Sequence, residues 1–153
     1  MLKLLLQLAH ALRCFFWWLV RPVTRGVRAI LVNSGGKVLL VHHRYERGWL
    51  LPGGKTRKNE TDIDALRREL KEEIGVSNIS QAEKLGEYLN TYEYKKDTVA
   101  VFVVRSFTQE RTRLFEIEKW SFFDPRNLPE GTSPGTRKRI EEWLGQKQIS
   151  NQW

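Results

Sequence analysis

The chain has 153 residues, enough for one domain with its own core and too few for two ordinary ones. Hydrophobic residues make up 41% and charged residues 29%, which excludes collagen-like, disordered and solenoid compositions. The single cysteine, Cys14, excludes an internal disulfide and leaves a reducing cytoplasm as the simplest compartment; the net charge of +8 favours phosphate-bearing partners such as nucleotides, nucleic acid or anionic lipid.

Residues 2–20 read as an amphipathic helix, with Lys3, Gln7, His10, Cys14 or Arg13, Trp17 and Arg21 recurring at steps of three and four along a narrow polar stripe. Spanning a bilayer takes about 20 predominantly apolar residues, and four polar or charged ones inside this run argue against it. The same interruptions, with no small-residue cleavage pattern before Arg21-Pro22, argue against a signal peptide. Two readings stay open: a helix that docks on the domain or on the second subunit of a homodimer, and one that lies at a membrane interface as a peripheral contact. Pro22 ends the helix in both, so residues 1–22 form one unit and 23–153 the main domain.

From Gly26 the period changes. VRAILVN and KVLLVHH, joined across Ser34-Gly35-Gly36, predict two strands of a hairpin. A loop from Arg44 to Gly48 and the short WLLPGG stretch follow. Thr61 with Asp64 three residues later predicts a helix start of the capping-box type, and Gly75 predicts its end. EKLGEYLNTYEYK and TVAVFVVRSF read as strands with a turn near Lys95 to Asp97, and KWSFFD as a further strand. Ser133-Pro134 opens a last helix that buries Ile140, Trp143 and Leu144. Strands around two helices imply an α/β sandwich with a mixed β-sheet.

Within the first of these helices, about 100° per residue places Ile63, Leu66, Leu70 and Ile74 on one stripe, which faces the core. Glu69, Glu72 and Glu73 share the adjoining flank, where like charges repel by a few tenths of ~1 kcal/mol per pair. A divalent cation removes that repulsion, and magnesium prefers such oxygen ligands. Arg68, one turn before Glu72, can orient it or reach back to Glu60. A Glu-rich helix alone is more often a solvated face. The ordered string is more specific: Gly54, five residues, Glu60, seven residues, then Arg68-Glu69-Leu70-Lys71-Glu72-Glu73-Ile74-Gly75-Val76.

This string, with Trp49-Leu50-Leu51-Pro52-Gly53-Gly54 before it, resembles the signature of the Nudix hydrolases at every fixed position. The resemblance implies a Nudix α/β/α sandwich over about Arg25 to Gly145. It implies hydrolysis of a nucleoside diphosphate linked to another group, with Mg²⁺ or Mn²⁺ held by Glu69, Glu72 and Glu73. It also implies a backbone carbonyl at Gly53 or Gly54 as a further ligand, and Glu60 with Arg68 bracing loop against helix. One carboxylate free of metal takes the proton from water; Glu116 or Glu118 are the later candidates, beside the signature helix itself. Arg57 and Asn59 depart from frequent family usage.

Specificity is less legible. Tyr88, Tyr92 and Tyr94 could face a base but alternate along a strand, and Arg44, Arg47 and Lys55 could hold terminal phosphates. His42 and His43 read as strand-end residues with no zinc partner. A nucleotide-like small molecule is the expected substrate, with capped or triphosphate RNA as the nucleic-acid version. The rival reading is a binding module that keeps the fold and reads RNA ends or anionic lipid.

Overall fold

The computed structural model describes residues 23–92, 95–110 and 115–153. The predicted N-terminal helix, and the dimer and membrane contacts assigned to it, lie outside the described residues.

Among the described residues, six strands form two three-stranded sheets. In the first, β1 (Val23–Leu31) runs parallel to β5 (Lys95–Gln109), which pairs antiparallel with β4 (Val76–Tyr92). The second orders β3 (Trp49–Leu50), β2 (Val38–His43) and β6 (Ile117–Phe123), all antiparallel. The helices are α1 (Asp62–Ile74) and α2 (Pro134–Trp143).

Strands β1 and β2 bury side chains of both faces over most of their length, as central strands with helices on either side must, whereas β6 is largely exposed. Val27, Ala29 and Leu31 of β1 pack with Leu66, Leu70 and Ile74 of α1, while Ile30 turns the other way and joins Ile140 of α2. An α/β/α sandwich with a mixed sheet results.

The predicted hairpin is not formed. The turn exists, with the Asn33 side chain accepting the Gly35 and Lys37 N–H groups at 3.0 and 2.9 Å. Beyond an isolated bridge between Val32 and Val38, however, β1 and β2 part into different sheets. Both edges of β1 are taken: one by β5 over nine residue pairs, the other by the stretch from Pro52 to Thr56. No turn lies at Lys95 to Asp97, where one is predicted, since Lys95 already pairs with Tyr92 and Asp97 lies inside β5, accepting the Thr24 hydroxyl at 2.8 Å.

At the chain's end, Asn151 and Trp153 hydrogen-bond the backbone of Leu89 and lay the tail along β4. Beneath the tail, Arg139 of α2 is fully buried, with its guanidinium carbon 3.8 Å from the Tyr88 ring centroid and its Nη2 3.1 Å from Glu142. Such a pair stands in an apolar core only because aromatic faces and the Gln152 carbonyl cover it.

Candidate active site

The site is assembled on α1 and the loop before it. Thr61 caps α1 by accepting the Asp64 N–H at 3.2 Å, and its hydroxyl donates to the Asp64 carboxylate at 2.6 Å. Gly75 closes the other end. Ala65, Leu66, Leu70 and Ile74 are buried and Ile63 partly so, which fixes the rotation of the helix about its axis. Arg25 of β1 locks the first turn, reaching Asp62 through two nitrogens at 2.6 Å each and Glu87 of β4 at 2.7 Å.

Residues Pro52 to Thr56 behave as an extra half-strand against β1. Ala29 donates to the Pro52 carbonyl, Val27 to the Gly54 carbonyl and Thr56 to the Arg25 carbonyl, each at 2.9 Å. Glycine matters twice in this stretch, at Gly53 for the backbone and at Gly54 for a neighbouring side chain. Gly53 has φ of 135°, and a Cβ there would strike the Val27 carbonyl. A Cβ on Gly54 would strike the Glu69 carboxylate, which lies directly against the loop.

Arg68 ties loop and helix together. It donates to both carboxylate oxygens of Glu60 at 2.7 and 2.9 Å, to the Lys55 carbonyl at 2.9 Å, to Glu69 at 2.7 Å and, more weakly, to Glu72 at 3.4 Å. The Arg68 guanidinium, then the Arg57 N–H, hold the Glu60 carboxyl down to about 2, so the brace is charged at any ordinary pH. Both orientations expected of Arg68 coexist.

The three helix glutamates differ in setting. The side chain of Glu72 is 54% exposed and 3.6 Å from Arg57, whereas Glu69 and Glu73 are 16% and 10% exposed. Glu73 accepts the Gly53 N–H at 2.9 Å, and burial raises its carboxyl to about 7, against the lowering effect of that bond and of nearby Arg28. Opposite it, Nε2 of His43 is buried without a hydrogen-bond partner, 3.9 Å from Glu73 Oε1. Burial lowers the His43 pKa, so the imidazole is neutral there.

Glu69, Glu72, Glu73 and Arg68 all line one open cavity of about 900 Å³, together with Gly53, Gly54, Arg28, His43, Lys55, Arg57, Phe115 and Glu116. Among the described residues, no three acidic or imidazole side chains already close around a single point. The donor chemistry nevertheless fits a hard cation: three carboxylates on one wall, one of them buried without a counter-charge in hydrogen-bond contact. The Gly54 carbonyl, already accepting the Val27 N–H, has one lone pair left for a cation.

Glu118 does not line this cavity. The ladder between β2 and β6 shifts register there, pairing His42 with Lys119 and His43 with Ile117, so Glu118 is the extra residue. It turns to His42 Nδ1 at 3.0 Å, on the face where His42 packs against Trp49. Of the predicted basic residues Lys55 lines the cavity, while Arg44 instead donates to the Phe115 carbonyl. Tyr88 is a core residue. Arg28 escaped the sequence reading; a cation inside the apolar run VRAILV was the available signal. Its guanidinium donates to the Gly53 carbonyl from inside the cavity.

A model of the NUDIX domain matches residues 22–144. An RNA pyrophosphohydrolase of Acidiphilium cryptum is 34% identical over 128 residues, covering 80% of this chain and 74% of that protein. With an RNA pyrophosphohydrolase of Hydrogenovibrio crunogenus the match is 44% identical over 50 residues, 33% of this chain, and spans only 30% of that protein's length. In three dimensions the chain is similar to a MutT NUDIX hydrolase from Burkholderia pseudomallei, with a TM-score of 0.69 and 24% identity over 78% of this chain and 96% of the other. That likeness shows the fold.

Proposed function

The chain belongs to the Nudix family, and from that premise we propose that it hydrolyses a pyrophosphate bond in a nucleoside diphosphate linked to another group, with Mg²⁺ or Mn²⁺ as cofactor. One observation carries this reading: acids suited to a divalent cation and cations suited to phosphate line the same cavity. Glu69, Glu72 and Glu73 would hold the metal, with the Gly54 carbonyl as an added donor. When bound, the metal neutralises charge on the phosphates and lowers the pKa of its water.

The chain's own residues do the rest. Arg68 acts through others: it fixes Glu69 and the Lys55 carbonyl, so the carboxylates keep their station relative to the loop. Lys55 and Arg57 share the cavity with the carboxylates and would take terminal phosphate oxygens, beside Arg28. Phosphoryl chemistry depends mainly on such positioning and charge neutralisation. Of the two later acids, Glu116 shares the cavity and would accept the proton of the attacking water, whereas Glu118 pairs with His42 outside it.

The test is a substrate panel with product identification. Full-length protein with Mg²⁺ is expected to release phosphate or pyrophosphate from at least one nucleotide or triphosphorylated RNA, and Glu73→Gln to lose that turnover while staying folded. An inert wild-type protein, or a fully active Glu73→Gln, would overturn the assignment.

A further inference from the structure

Nearly every residue around the cavity is charged, polar or glycine. Its apolar members are Ile117, which is buried, and Phe115, whose residue surface is 74% exposed. Few large hydrophobic residues of the described chain are so exposed, and among Val23, Tyr45, Leu89, Trp120 and Ile149 none lines this space. Leaving an aromatic ring in water forgoes a burial gain that any flat apolar partner would recover.

The ring also has a fixed base. Arg44, at the end of β2, donates its Nε to the Phe115 carbonyl at 3.2 Å and its backbone N–H to the Glu116 carbonyl at 3.0 Å. Two residues on, Ile117 is buried in the core and paired with His43. The backbone of Phe115 is therefore held to the same strand end that presents His43 to Glu73. An aromatic side chain on a pinned backbone, beside a phosphate-binding wall, has the layout of a stacking surface.

We infer that Phe115 is the platform on which the base of the substrate stacks, the phosphates lying toward Lys55, Arg57 and the glutamates. The inference rests on the pyrophosphohydrolase reading for the position of the phosphates. It adds a specificity: with one aromatic face and no apolar partner opposite it among the described residues, the site accepts any base that can leave its own stack. Purines and pyrimidines are then separated by ring area, not by hydrogen-bond readout. A free nucleotide and the unpaired 5′-terminal base of a triphosphorylated RNA present the same chemistry.

Calorimetric titration of the full chain with Mg²⁺ separates the arms. The probes are the α,β-imido triphosphates of adenosine and cytidine, a short RNA carrying the same imido triphosphate at an unpaired 5′ end, and inorganic tripolyphosphate, which has no base. Phe115→Ala is expected to weaken the nucleotides about tenfold, or ~1.4 kcal/mol, and to leave tripolyphosphate unchanged. Phe115→Trp should restore the affinity. The ratio of RNA to free-nucleotide affinity in the wild type then tells which source the site prefers. Unchanged nucleotide affinity in Phe115→Ala, an equal loss for tripolyphosphate, or wild-type nucleotides binding no better than tripolyphosphate would each overturn the stacking role. Failure of the wild type to cleave any nucleotide strikes the parent reading instead, so the two failures are told apart.

Discussion

Glu73 offers a prediction in which function and stability pull in opposite directions. Its carboxyl is raised from 4.5 to about 7, chiefly by burial, in the absence of any bound cation. A folded-state pKa above the unfolded one means that the folded chain binds the extra proton between those values. Stability therefore falls as pH rises from about 4.5 through about 7 and levels off above. Carrying the group over that interval costs roughly 3 kcal/mol once the carboxylate is fully charged. Glu73→Gln removes the charge and keeps an oxygen for the Gly53 N–H, while its new amide donor faces the unpartnered Nε2 of His43. In EDTA at about pH 8 the variant is expected to be more stable than the wild type by roughly 2–3 kcal/mol, and at about pH 5 by less than ~1 kcal/mol. Urea denaturation at several pH values measures this. Adding Mg²⁺ should raise wild-type stability and leave the variant nearly unmoved. A difference independent of pH, or a variant less stable than wild type under alkaline conditions, would refute the buried-charge argument.

Arg68→Ala should lower turnover or metal affinity by about 10–100-fold, read from kcat and from Mn²⁺ titration, because it releases Glu60, Glu69 and the Lys55 carbonyl together. With Arg68 in place, Glu60 contributes stability that is present above its ordinary pKa and is lost as pH falls toward about 2, so an acid titration of the variant should lose the larger part of that dependence and keep the part due to the Arg57 N–H. Arg139→Met should cost about 3–5 kcal/mol in urea denaturation, since it strands Glu142 in the core, and Arg139→Met with Glu142→Leu should recover most of it.

Helix α1 and the placement of its side chains were legible because they are local. The signature runs over 23 contiguous residues, and the 3.6 period by itself sets which carboxylates flank the buried stripe. What escaped depends on contacts between distant segments. The tail residues Ser150 to Trp153 are polar apart from their last member and carry no periodicity, yet they seal Arg139 and pair with Leu89. Glu116 and Glu118 look equivalent in sequence. Only the register shift opposite His42 and His43 sends one into the cavity and the other to the far face.

The failed hairpin and the cavity have one origin. Had β2 paired with β1 as the turn between them suggests, it would have occupied the edge that Pro52 to Thr56 now hold. That edge is where Gly53 donates to Glu73 and where Gly54 lets Glu69 lie against the backbone. By leaving β1 for the second sheet, β2 instead carries His43 to face Glu73 and Arg44 to anchor Phe115 and Glu116. The gap between the two sheets is thus walled by the metal-suited carboxylates on one side and the end of β2 on the other. Alternation along a strand states which side chains turn inward, and it carries no information about which strand lies at the edge. The signature loop, not the hairpin turn, settles that choice, because Gly53 allows a closer approach to the β1 backbone at Val27 than a residue with a side chain could make.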